Sequence, residues 1–139
     1  MTEIAGKSGT TSGATGLRAA VEAYWATADA RDWEAFAATL SADVVYDLPQ
    51  TRERVLGKER YVRFNQEYPG DWSVRIERIV ADGDGRQAAA RTRFTVAGEE
   101  MPAVHFFSFD AAGRITEVTD FWPEPYEPPA GREHLVERY

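Results

Sequence analysis

Cysteine is absent from all 139 residues. That excludes a disulfide-stapled scaffold, a thiolate nucleophile and a zinc ribbon. Long apolar runs are missing too, so no segment is built to span a bilayer. Positive charge is scarce: 16 Lys and Arg face 23 Asp and Glu, for a net charge of −7. Such a chain repels a polyanion, which argues against a nucleic-acid partner. There are only two histidines, and no metal-spaced histidine pair, Gly-rich phosphate loop or Ser-His-Asp order is present. Asp82 to Gly85 resembles a calcium loop only superficially, because the remaining acidic ligands and the closing Glu are lacking. Neither metal nor cofactor is expected. The first ten residues carry no charged-then-apolar leader pattern, so a cytoplasmic location is expected. Large aliphatics are few as well. Leu, Ile, Val and Phe total 27 residues, a fraction that borders on disorder at this charge. Four Trp, six Tyr and 21 Ala answer that concern, since large rings supply the burial that the aliphatics do not.

The pattern along the chain predicts one domain with two tails. Residues 1–16 are rich in Gly, Thr and Ser and lack periodicity, which predicts a mobile tail. Residues 17–122 form the domain. Leu17, Ala20, Val21, Tyr24, Trp25 and Ala28 make one helical stripe. Asp32 is placed to cap a second helix, with Trp33, Phe36, Ala37 and Leu40 inward. Val44 to Leu48 reads as a short strand stopped by Pro49, and Gln50 to Arg54 as a polar loop. Lys58 to Tyr68 reads as a third helix. Four strands follow, Trp72–Val80, Arg86–Val96, Met101–Phe109 and Arg114–Trp122, joined by hairpin-length turns into an antiparallel meander. Residues 123–139 hold four of the seven prolines and form an extended C-terminal tail. Helices first and strands afterwards is the α+β order. The fold predicted is a cone-shaped α+β barrel: three N-terminal helices packed on a curved antiparallel sheet, with a pocket between them.

Five segments carry a family resemblance: Val21 to Trp25, Ala28 to Trp33, Leu40 to Tyr46, Phe106 to Ile115, and Thr119 to Trp122. In this order they resemble the SnoaL-like proteins of the nuclear transport factor 2-like superfamily, over about Leu17 to Trp122. That superfamily includes ketosteroid isomerases, polyketide cyclases, scytalone dehydratase, epoxide hydrolases and non-catalytic domains, so the resemblance implies a fold before it implies a reaction.

Three residues are candidates for chemistry. His105 sits in a strand of Val104, Phe106, Phe107 and Phe109; it is either a half-buried sheet histidine or a donor to a developing oxyanion. Asp120 is either a solvated strand-end carboxylate or a general base inside the cone. Tyr24 is either a core tyrosine or a phenol donor to a substrate oxygen. If Ala111 and Ala112 form a two-residue turn, His105 opposes Val118 and lies diagonal to Asp120, on the same face. A glycine bulge at Gly113 would separate them. The resemblance implies that His105 and Asp120 are a catalytic pair and that Tyr24 matches an oxyanion-hole tyrosine. The isomerases also carry an aspartate just before a proline. Here Leu48 precedes Pro49, and alternation points Asp47 to the opposite face, so the base falls to Asp120 unless the strand is kinked.

Trp25, Tyr46, Leu48, Tyr61, Phe64, Asn65, Trp72, Phe107 and Trp122 are the expected substrate-binding wall; as single rings they are also ordinary core residues. Together they suit a small hydrophobic ligand with a few oxygens. The function expected from the resemblance is a cofactor-free cyclase, isomerase or dehydratase acting on a polyketide-like carbonyl compound. The rival is a non-catalytic ligand-binding or dimerisation domain with the same cone. Arg91, Arg93 and Thr95 share an outward face with Val104 and Phe106, a mixture too apolar for full hydration, so a homodimer through the sheet is expected. Tyr126 is expected at the pocket mouth or the dimer seam.

Overall fold

A computed structural model describes the backbone of residues 2–139 and the side chains of residues 13–139. Helix α1 is Thr2–Asp29, α2 is Trp33–Ala38 and α3 is Lys58–Gln66. The strands are β1 (Leu40–Leu48), β2 (Glu53–Leu56), β3 (Trp72–Asp82), β4 (Gln87–Val96), β5 (Glu99–Phe109) and β6 (Ile115–Phe121). The apolar stripe of α1 is buried as expected, from Leu17 through Val21, Tyr24, Trp25 and Ala28. Its backbone begins earlier than expected, at Thr2 rather than after a tail. Adding turns to an existing helix avoids the cost of nucleation, so Gly and Thr can be carried along.

The sheet order is β2-β1-β6-β5-β4-β3. The predicted meander is its β3–β6 half, antiparallel throughout. Two corrections apply to the other half. The first strand starts at Leu40, which the helical pattern had claimed, and it runs parallel to β6. The polar loop ends in a short strand, β2, paired to β1 at the sheet edge. The sheet is therefore mixed and not closed. An edge strand with one partner needs no alternating face, and Glu53 and Arg54 are exposed. The helices cover the concave side: α1 packs on β3 and β4, while α3 packs on β1 and β2.

The β5–β6 hairpin sets the geometry of the site. Phe109 pairs with Ile115, which is one residue longer than a two-residue turn would give. Gly113 adopts φ +82° there, a conformation that suits glycine, and Asp110 Oδ1 accepts from the Ala112 and Arg114 amides. A bulge at Thr116 adds a second extra residue, so Ser108 pairs with Glu117 and His105 with Asp120. Each shift alone flips the face of every later side chain; together they cancel. The expectation that a bulge would separate His105 from Asp120 is thus reversed, and the two stand directly opposite.

The exit of α1 is pinned to β3 by Arg31, which sits at φ +59°. Its guanidinium donates to the carbonyls of Ala28, Asp29 and Trp72 and lies 3.8 Å over the Trp72 ring. Asp29 Oδ1 in turn accepts from the Val74 amide at 2.9 Å. We expect Arg31→Ala to lower stability by about 1–2 kcal/mol in urea unfolding, from the lost cation–π contact and helix-end hydrogen bonds. Arg31→Lys should recover only part of this, because an ammonium cannot reach the three carbonyls in one plane.

Candidate functional site

The inward row of β4 is Ala88, Ala90, Thr92 and Phe94; that of β5 is Ala103, His105, Phe107 and Phe109. Val118 and Asp120 continue it on β6, and Tyr46 on β1. These rows bring four polar groups into one chain. Asp120 Oδ1 lies 2.6 Å from His105 Nδ1, and Asp120 Oδ2 accepts from the Tyr46 hydroxyl at 2.6 Å. On its far side, His105 Nε2 lies 2.7 Å from Thr92 Oγ1. All four residues are buried. One proton arrangement satisfies every member: an ionised Asp120 accepts from Nδ1–H, and Nε2 accepts from the Thr92 hydroxyl. The short contacts are of the charge-assisted kind.

A second pair lies above the first. The Tyr24 and Tyr61 hydroxyls share a short hydrogen bond, and the Tyr61 ring stacks on Tyr46 at 4.5 Å. Burial raises the Tyr24 and Tyr61 hydroxyls well above the usual phenol range, and the nearby Asp120 charge adds to this. Burial followed by the Asp120 charge does the same to Tyr46. These phenols are therefore donors, not bases.

A cavity of about 100 Å³ opens between the helices and the sheet. Asp120, Tyr24, Trp25, Tyr46 and Tyr61 line its buried part, with Trp72 and Phe94 beside them. Phe64, Asn65, Val96, Met101 and Trp122 are half-exposed on its wall, and Tyr68 is exposed. The expected wall and catalytic candidates are thus largely brought together at the cavity, with three exceptions. His105 has no exposed surface and does not reach the cavity. It stands behind Asp120, with Nδ1 on the carboxylate. Phe107 is packed behind Tyr24, at 5.2 Å between rings. Leu48 lies in a neighbouring groove. Asp47 faces Arg54 at 2.5 Å, away from the cavity, as alternation predicted.

Thr92 was not foreseen as a site residue. The available signal was its position as the one polar side chain in an inward row, diagonal to His105 across the β4–β5 ladder. Phe94, Val96 and Met101 belong to the same sheet end as Trp72 and Trp122 but carry no polar group to mark them. The Trp25 indole N–H is buried among rings without an acceptor and is the sole such side-chain atom among the described residues. The C-terminal tail adds no wall residue. Tyr126 is 87% exposed rather than packed at the mouth, because the prolines after Trp122 take the chain off the ladder.

The buried tyrosines generate a prediction. Their folded pKa values exceed the unfolded value, so their contribution is intact below about pH 10 and is lost as pH rises beyond it. With three such groups, stability should fall by about 4 kcal/mol per pH unit there. Phenolate absorbance for Tyr24, Tyr46 and Tyr61 should appear in one step with the loss of circular dichroism. Titration of all six tyrosines before unfolding would contradict the hydroxyl networks.

Residues 21–118 match the family model of the SnoaL-like domain. A crystal structure of a candidate ketosteroid isomerase from Kribbella flavida is 49% identical, with a TM-score of 0.86 over 91% of each chain. A nuclear transport factor 2-like protein of unknown function from Burkholderia xenovorans is 25% identical, with a TM-score of 0.74, covering 90% of this chain and 96% of that one. A candidate polyketide cyclase from Pseudomonas putida is 32% identical, with a TM-score of 0.60, covering 75% and 89%. No curated protein matches the chain. Family model, sequence identity and cone-shaped fold agree, and the chain belongs to the SnoaL-like domain family of the nuclear transport factor 2-like superfamily.

Proposed function

We propose that this chain is a cofactor-free acid–base enzyme acting on a small hydrophobic carbonyl compound. The observation that supports it is one ionisable carboxylate, Asp120, on the wall of a mainly aromatic cavity that also carries the Tyr24–Tyr61 hydroxyl pair. A carboxylate oxygen of Asp120 removes a proton from the carbon beside the carbonyl. The C–H electron pair moves into the carbon–carbon bond, and the carbonyl oxygen takes the negative charge. A phenol of the Tyr24–Tyr61 pair donates to that oxygen. His105, held by Thr92, and Tyr46 fix the carboxylate in place. Isomerisation returns the proton to another carbon; cyclisation and dehydration use the same enolate to attack a second carbonyl or to expel a hydroxyl. The names of the Kribbella and Pseudomonas relatives fall in these reaction classes. Positioned acid–base groups contribute about 10²–10⁴-fold and an oxyanion donor about 10²–10³-fold.

Enolisation can be read without knowing the product. In deuterium oxide, a panel of small cyclic and aryl ketones should show protein-dependent exchange at the carbon beside the carbonyl. Asp120→Asn should abolish that exchange, and Tyr24→Phe should slow it by about 10²-fold. Exchange that survives Asp120→Asn would remove Asp120 as base. The small inner cavity favours a second reading, a ligand-binding domain without chemistry. On that reading ligands bind, no ketone exchanges, and Asp120→Asn changes only stability.

We also propose that two copies pair through the outer sheet face. Val80 and Phe106 are exposed there at 57% and 50%, and Phe121 packs edge-on against Phe106. Sedimentation at micromolar concentration should give a dimer, and Phe106→Asp should give a folded monomer. A wild-type monomer would count against the pairing.

A further inference from the structure

The inner cavity is too small for a typical ligand. Its volume of about 100 Å³ is several-fold below the roughly 300–1,000 Å³ of small-molecule sites. It admits one functional group and little more. A second depression of about 510 Å³ adjoins it. The two share Tyr46, Phe64, Tyr68 and Trp122, so these four side chains border both compartments. Beyond them the outer groove runs over Leu48 and Pro69 and ends at Thr51, Glu53 and Glu67. Taken as one space, the cavity and groove fall within the range expected for a small-molecule site.

Charge along this path has one sign. Asp120 stands at the inner end and Glu53 and Glu67 at the outer end, and neither compartment is lined by Lys or Arg. The nearby cations Arg52, Arg54 and Arg63 are exposed and line neither compartment. Arg63 pairs with Glu67 at 3.0 Å from an exposed position on α3, and Arg54 is held by Asp47. Glu53 accepts from the Thr51 hydroxyl and has no cationic partner.

We infer that the ligand is elongated and spans both compartments: a carbonyl-bearing head inside by Asp120, and an apolar tail in the outer groove, uncharged or cationic at its end. A carboxylate, sulfonate or phosphate on the tail would meet Glu53, which has no cationic partner, and Glu67, whose charge Arg63 already offsets, and would find no cation lining the groove. The inference rests on the proposed reading for the identity of the head group. The shape and charge preference of the tail stand without it.

A pair of fluorescent probes with one skeleton tests this: neutral N-phenyl-naphthylamine and anionic anilinonaphthalene sulfonate. Wild-type protein should bind the neutral probe at least about tenfold more tightly than the sulfonate. Glu53→Lys combined with Glu67→Lys should bring the two affinities within about threefold of each other. Leu48→Trp, which fills the outer groove without touching the inner cavity, should weaken the neutral probe by at least about tenfold. Near-ultraviolet circular dichroism and melting temperature should report a kept fold in each variant. Ketone exchange is read separately: wild type that discriminates between the probes but exchanges no ketone keeps this claim and loses the catalytic one. Equal binding of the two probes by wild type, no binding of the neutral probe, or indifference to Leu48→Trp in the folded variant would overturn it.

Discussion

A carboxylate buried in a cone of aromatic rings costs several kcal/mol unless its oxygens are met by donors. Asp120 imposes that cost here, and much of the arrangement around it follows. Tyr46 from β1 meets one oxygen and His105 from β5 meets the other. The imidazole then has a nitrogen of its own to satisfy, and Thr92 from β4 supplies the partner. The chain of donors thus crosses four strands that are adjacent in the sheet. Two of those strands, β1 and β6, are parallel and 74 positions apart at the Tyr46–Asp120 contact. The site therefore exists only when the sheet is complete.

The same burial divides labour between the polar groups. Low polarity keeps Tyr24, Tyr46 and Tyr61 protonated, so the phenols can donate, while Asp120 is the one carboxylate lining the cavity. The histidine gains nothing from the cavity because it does not reach it. It acts on Asp120 from behind, as a partner that fixes direction. Trp25 covers it, with ring centroids 4.5 Å apart, and Phe94 and Trp122 pack around it.

Much of the architecture was legible in the sequence because alternation and helical spacing are strong where a face is buried. The stripe from Leu17 to Ala28 and the four strands after Trp72 read directly. Strand β2 was not legible, since a four-residue edge strand that turns only Val55 toward the core leaves no apolar pattern. Leu40 misled because one apolar residue fits the end of a helix and the start of a strand equally well. The pairing of His105 with Asp120 was legible as a shared face, but its register depended on a bulge that sequence does not reveal. Whether His105 faced a void or lay behind Asp120 was a question of depth beneath the surface, and side-chain periodicity carries no information about depth. Thr92 stayed hidden for the same reason.

The two cancelling register shifts in the β5–β6 hairpin make the site sensitive to arithmetic. Removing one residue from the segment 110–114, or smoothing the bulge at Thr116, would leave two strands able to pair one position out of the present register. It would also turn Asp120 to the outer face and bring Thr119 and Phe121 inward. Relatives that keep the carboxylate inside the cone can therefore gain or lose residues in this hairpin only two at a time, or by a loop change matched with a bulge change. The length parity of one surface loop, far from Asp120, separates a cone with a carboxylate inside from a cone without one.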